Sequence, residues 1–148
     1  LRQMNLSNNT IIANSIPRGI RNNNPLNIRK GNDWQGERQP QTDKAFEEFV
    51  SIEMGLRAGF IIIRNYFKKR PAVNTITTII SRWAPPSENV TTSYIREVSR
   101  RSGIGPDEPL RFDEKNKLCR IVQAMCWVEC GQEIGFGRIE NAYEMAKR

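Results

Sequence analysis

The sequence contains no histidine, and that absence prunes the chemistry before any motif is read. Without an imidazole neither a Ser-His-Asp nor a Cys-His nucleophile can be assembled, so acid–base work falls to carboxylates, tyrosines or lysines. Cysteine is scarce: Cys119, Cys126 and Cys130 are the only three. A closed thiolate centre takes four ligands, so no metal site is expected, and no cofactor either. The Gly135-Phe136-Gly137 spacing is no phosphate loop, because it has no strand before it and no Lys-Ser/Thr after it. On a helix Cys119 and Cys126 stand about 10 Å apart, too far for a disulfide. The three read as small buried apolar residues. Long apolar runs are missing as well. The best, Phe60 to Ile63, is far too short to span a bilayer. The Asn-rich opening stretch has no basic flank followed by an apolar block, so it does not read as a secretion signal.

What is present is an ordinary globular composition: 148 residues, 38% hydrophobic and 26% charged, enough for a single domain with one core. The net charge of +7 implies attraction to polyanions. Nucleic acid, an anionic membrane surface and the acidic polymers of a bacterial wall all qualify, and charge does not choose among them. Plain solubility is the competing explanation.

The most informative stretch is DEKNKLCRIVQAMCWVECGQE, Asp113 to Glu133. At about 100° per residue, Leu118, Ile121, Val122 and Met125 share one face of a helix, and Glu129 falls on that face near its end. A carboxylate on an apolar face breaks the local pattern, and such breaks concentrate at functional sites. Burial would raise its pKa, which suits a general acid. The bland alternative is a helix-end residue that reaches water, and the pattern alone does not separate the two.

Around this helix the chain orders itself simply. Residues 1–16 read as a polar, Asn-rich tail, and 17–148 as one domain. RGIRNNNPLNIRKG carries a strong turn signal, since Asn tolerates left-handed geometry and Pro25 biases Asn24 towards extended geometry. It is either a plain loop or a polar wall of amides suited to sugar hydroxyls. Asn27 to Arg29 and Ala45 to Phe49 are expected as two strands of a small, ragged β-hairpin whose loop holds Trp34. Ser51 is expected to cap a helix with Ile52, Leu56, Phe60, Ile63 and Phe67 inward and Glu53 in its first turn. A helix from about Asn74 to Trp83 follows, ended by Pro85 and Pro86. The next, capped by Asn89 or Thr91, turns Tyr94, Ile95 and Val98 inward. Arg96, Arg100 and Arg101 lie on or near its outer face, as a phosphate strip or a solvated surface. Asp113 is expected to cap the Glu129 helix, and a last amphipathic helix starts near Ile139. The fold class is therefore mainly α with a small β-hairpin.

RGIRNNNPLNIR, FEEFVSIEMGLRA, RWAPPSEN and AMCWVECG together resemble a family of phage and prophage virion structural proteins related to the lysozyme and lytic transglycosylase superfamily. The likeness spans about Pro17 to Gly131. It implies a lysozyme-like helical domain. In cell-wall transglycosylases the helix ending in Glu comes first and the Asn-rich loop follows it. Here the order is reversed, which implies a circular permutation, a cheap change when termini lie close together. The permutation would bring Glu129 beside Asn23, Asn24 and Asn27. Cys130 stands where the family has Asn, and Val128 where His sometimes precedes the Glu.

The resemblance implies cleavage of peptidoglycan glycan strands with Glu129 as the single general acid and base. Asn23, Asn24, Asn27, Trp83 and Tyr94 would position the sugar, and Trp34 is a further stacking candidate. Glu53, Glu88 and Glu48 are the candidates for a second carboxylate or a place in the cleft. The other reading is a non-catalytic phage virion or cell-wall-binding component that holds glycan without cutting it and contacts virion or envelope assembly proteins. Cys130 and the missing second acid favour it. The expected location is accordingly the bacterial envelope or a phage particle. Nucleic-acid binding rests on charge alone and ranks last.

Overall fold

The computed structural model describes residues 16–84 and 88–148, with Glu88 and Asn89 described by backbone only. Nearly all of the expected tail, and Pro85 and Pro86, lie outside the described residues. Among the described residues the chain forms six helices: α1 Arg18–Arg21, α2 Ile52–Phe67, α3 Ile76–Trp83, α4 Glu88–Ser102, α5 Lys115–Cys130 and α6 Phe136–Lys147. The protein is mainly helical.

Local chemistry explains most of the boundaries. Ser51 is extended (φ −152°, ψ 158°) and its hydroxyl accepts from the Met54 N–H, so α2 starts where the sequence placed it. Ile52, Leu56, Phe60 and Ile63 are buried on its inner stripe. Thr75 and Thr78 close a reciprocal capping box, which sets the start of α3 at Ile76 rather than Asn74. α4 begins at Glu88, so Asn89 and Thr91 fall inside its first turn instead of capping it. Glu114, not Asp113, precedes α5; the Asp113 carboxylate instead accepts from Arg111 Nε at 3.1 Å. α5 stops at Gly131, whose left-handed conformation (φ 68°) turns the chain away. α6 begins three residues before Ile139, because an exposed Gly137 is no barrier to a helix that buries Ile139, Ala142, Tyr143 and Ala146.

The expected hairpin is reduced to two isolated antiparallel bridges, Arg29 with Phe46 and Glu37 with Phe49. The Lys30 N–H still donates to the Ala45 carbonyl and the Glu47 N–H to the Ile28 carbonyl, but side chains have taken other partners of the ladder. The Asn24 amide donates to the carbonyls of Ile28 (2.9 Å) and Glu47 (3.0 Å) and accepts from the Ile28 N–H (2.9 Å). The Glu48 carboxylate accepts from the Thr42 and Asp43 N–H groups and the Thr42 hydroxyl.

α5 sits at the centre, packed on α4, α6 and α1, while α2 lies along α6 and α3 against α4. Tyr143 pins the core: it meets Phe60 edge-on at 5.5 Å and stacks on Phe112 at 5.2 Å. Its hydroxyl donates to the Phe112 carbonyl at 2.7 Å. The Asn-rich loop closes onto α2 at Gly55, where any Cβ would overlap the Asn23 carbonyl. That contact, with α1 against α5, draws the beginning of the domain onto its last third. All three cysteines are buried and free. Among the described residues no helix is long and apolar enough to cross a membrane.

Candidate functional site

The four asparagines of the loop have four different tasks. Asn22 donates to the Asp43 carboxylate at 3.0 Å, and Asn23 to the Phe49 carbonyl at 3.0 Å. Asn24 is fully buried and holds the loop to the bridge region. Asn27 alone reaches α5. Its amide donates to the Glu129 carbonyl at 3.1 Å and to Glu129 Oε1 at 3.0 Å, across 102 positions of sequence. Asn23 and Asn27 both sit at positive φ (52° and 53°), a conformation that asparagine adopts at little cost and that bends the loop around Pro25.

Glu129 Oε2 accepts from the Tyr94 hydroxyl at 3.0 Å, so both carboxyl oxygens are held, one by the loop and one by α4. Burial raises the Glu129 pKa above the ordinary carboxylate range, against the opposing pull of the Asn27 and Tyr94 hydrogen bonds and the Arg29 charge. Burial also lifts the Tyr94 hydroxyl well above its usual value, and the Glu129 charge adds to it. At neutral pH Tyr94 is therefore a donor, not a base.

The carboxyl borders a groove of about 580 Å³. Asn27, Ile28, Arg29 and Asn32 form one wall and Ile62, Tyr66, Arg82, Trp83 and Ala84 the other, with Phe46 beside Arg29. Trp83 is fixed by its indole N–H, which donates to the Leu26 carbonyl at 3.2 Å, and by an edge-on contact with Tyr66 at 6.3 Å. Among the described residues, Glu129 is the one acid of the lining. A carboxyl whose pKa is raised by burial, held at both oxygens and open on one side to a cleft, can serve as a proton donor.

A comparison with known proteins adds a relationship. Protein P5 of Pseudoalteromonas phage PM2 is 45% identical to this chain over 136 residues, covering 88% of the chain and 82% of that protein. The chain belongs to the Protein P5 family. No family model matches it.

Within this fold the structure distributes the expected site residues unevenly. Glu129, Asn27 and Trp83 line the groove, and Tyr94 supports Glu129 from behind while bordering a second, more open depression with Val90, Ser93, Glu97, Trp127 and Val128. Asn23 and Asn24 shape the loop from inside it. Glu53 lies apart: it forms a two-point ion pair with Arg138 at 2.7 and 3.0 Å, which lowers its pKa and ties α2 to α6. Glu48 is buried under Arg38 and the 42–43 turn. Burial pulls its pKa up, but those donors outweigh it and keep it below the usual value, so it is a fixed anion of the loop. The Glu88 side chain lies outside the described residues. Trp34 packs against the core.

Arg29, Asn32, Phe46, Ile62, Tyr66 and Arg82 line the groove without having been singled out. Ile62 and Tyr66 carried a signal: they are four residues apart, on the flank of the buried stripe of α2, where an apolar pair extends past what the core needs. Arg29 and Arg82 carried none, being two arginines in a chain rich in them.

Proposed function

We propose that the groove takes a peptidoglycan glycan strand and that Glu129 cleaves its β-1,4 linkages as a single acid and base, in the manner of a lytic transglycosylase or muramidase. The lysozyme-like domain joined in permuted order belongs to this reading. The observation that carries it is the seating of Glu129: an acid on an otherwise apolar helix face, its pKa raised by burial, held by an amide from the other end of the chain at the edge of an open groove.

In its neutral form Glu129 donates its proton to the glycosidic oxygen as the C1–O bond breaks. The substrate's own acetamido oxygen attacks C1 and closes a ring, so no second carboxylate is required. The Glu129 carboxylate then takes a proton from the sugar's 6-hydroxyl, which attacks C1 to leave an anhydro sugar, or from water, which leaves a reducing end. Asn27 and Tyr94 hold the carboxyl in place between the two steps. Trp83 and Tyr66 offer ring surface to the sugar. Glu129→Gln keeps the volume and removes the proton, and should abolish the clearing of cell-wall suspensions while leaving the unfolding temperature near that of the wild type. Undiminished clearing by that variant would overturn the assignment.

A second reading has its own support. Membership of a phage protein family, Cys130 beside the acid and the lack of another acid among the described residues of the groove lining suit a non-catalytic part of a phage particle that holds wall glycan or meets virion or envelope assembly proteins. It predicts retention of the wild-type protein on purified peptidoglycan without release of soluble fragments.

A further inference from the structure

Two of the groove's lining residues are cations that its proposed chemistry does not use. Arg29 lies over the Phe46 ring, 4.6 Å from its centroid, and Arg82 over the Tyr66 ring at 5.9 Å. Both rings line the groove themselves, so each guanidinium is held by a wall of the cleft rather than trailing in solvent. Neither has a carboxylate partner within ion-pair distance among the described residues, and both are exposed. Some other cations of the surface are paired: Arg38 with Glu48, Arg100 and Arg101 with Glu97, Arg138 with Glu53. Arg29 stands on the loop and Arg82 on α3, and both line the same groove.

A guanidinium stacked on an aromatic face keeps its fork of N–H donors free while losing rotational freedom in advance. That is the arrangement that binds a carboxylate with two parallel hydrogen bonds at small entropic cost. A neutral polysaccharide gives such a pair nothing to bind beyond hydroxyls. Building on the glycan reading above, we propose that Arg29 and Arg82 are a carboxylate-reading pair. The groove is then specific for an acidic glycan whose sugars carry substituents ending in free carboxylates, such as the peptide stems of wall strands. Neutral chitin-like chains of the same sugar backbone are discriminated against. Phe46 and Tyr66 are positioning residues for the two guanidiniums.

The test is a titration in the Glu129→Gln background, so that nothing is cut, with two probes: a disaccharide-tetrapeptide from peptidoglycan and chitotetraose. The acidic probe should bind on the order of tenfold tighter at low salt, with the margin shrinking as salt screens the pair. Arg29→Gln with Arg82→Gln should weaken the acidic probe far more than chitotetraose and so erase the margin. Arg29→Lys with Arg82→Lys, which keeps the charge and loses the fork, should recover only part of it. Thermal unfolding of each variant separates a lost fold from a lost contact. Equal affinity for the two probes, no binding of either, or a margin that survives the double Gln change overturns the proposal. So does tighter retention of a single-stranded oligonucleotide than of the acidic probe, which would make the pair a phosphate reader. Cleavage is scored separately: if the wild type cuts no wall yet the margin follows the arginines, the cutting mechanism fails and the carboxylate preference stands.

Discussion

Tyr94 is the residue whose role can be isolated most cleanly. It is almost fully buried, and its hydroxyl donates to Glu129 Oε2 at 3.0 Å. A hydrogen bond to the charged form of an acid lowers its pKa, so Tyr94 restrains the rise that burial imposes. Tyr94→Phe removes the donor and little else. The Glu129 pKa should move further up. In the proposed mechanism the acid works while protonated, so the alkaline limb of the rate profile should move to higher pH. A limb that stays in place, or shifts downward, would show that Tyr94 does not govern this carboxyl. Gly19 acts beside it for a steric reason: a Cβ there would lie 3.0 Å from Asn27 Oδ1, 2.8 Å from the Asn24 carbonyl oxygen and 3.4 Å from the Cys130 Cβ. The amide that holds Glu129 thus depends on a neighbour with no side chain.

At the scale of elements, the decisive contact is that between the Asn-rich loop and α2. Gly55 faces the Asn23 carbonyl with no room for a methyl, and the obstacle is backbone, which cannot swing aside. Gly55→Ala should cost about 2–3 kcal/mol, read from a urea midpoint at unchanged slope. Gly137→Ala is the control: nothing lies within 4 Å of an added Cβ, so a change within about 1 kcal/mol is expected. The same contrast shows what was legible beforehand. α2 and α3 were readable because Ser51, Ile52, Leu56, Phe60, Ile63 and Ile76, Ile79, Ile80 announce caps and stripes through local chemistry alone. Glu129 was readable because a carboxylate interrupts such a stripe. The hairpin was overread because alternation says nothing about the Asn24 side chain taking the Ile28 N–H and the Glu47 carbonyl, or the Gln41 side chain taking the Glu48 N–H. Which of three consecutive asparagines, or Asn27 after them, would reach the acid depended on where the left-handed residues fall. That is set by tertiary contacts at Gly19 and Gly55, which no local pattern encodes.

Over the whole molecule the titratable groups pull against one another, and the balance sets where the fold is most stable. Asp43 is held at about 2: burial works against it, but the Ala45 and Phe46 N–H groups, the Asn22 amide and the Arg18 charge prevail. A carboxylate lowered by folding contributes stability above its unfolded pKa near 4, lost as the pH falls towards 2. Glu47 has the opposite sign. It is 2% exposed, close to Glu37 and Asp33, with only Lys30 at 4.0 Å to offset them. Burial first, and then the shared site with Glu37, raise its pKa to about 7. Its folded form binds the proton more tightly than the unfolded chain does, so its contribution is complete below about 4.5 and is lost as the pH rises to 7. Glu129, also raised, adds to the same slope. The stability maximum should therefore lie near pH 4–5, with a decline through neutrality. Glu47→Gln replaces the buried acid with a group that never ionises. It should match the wild type at pH 4.5 and exceed it by about 2–3 kcal/mol at pH 8. Urea unfolding at those two values checks it, and a variant no more stable than the wild type at pH 8 would mean that Glu47 is ionised and satisfied in the fold.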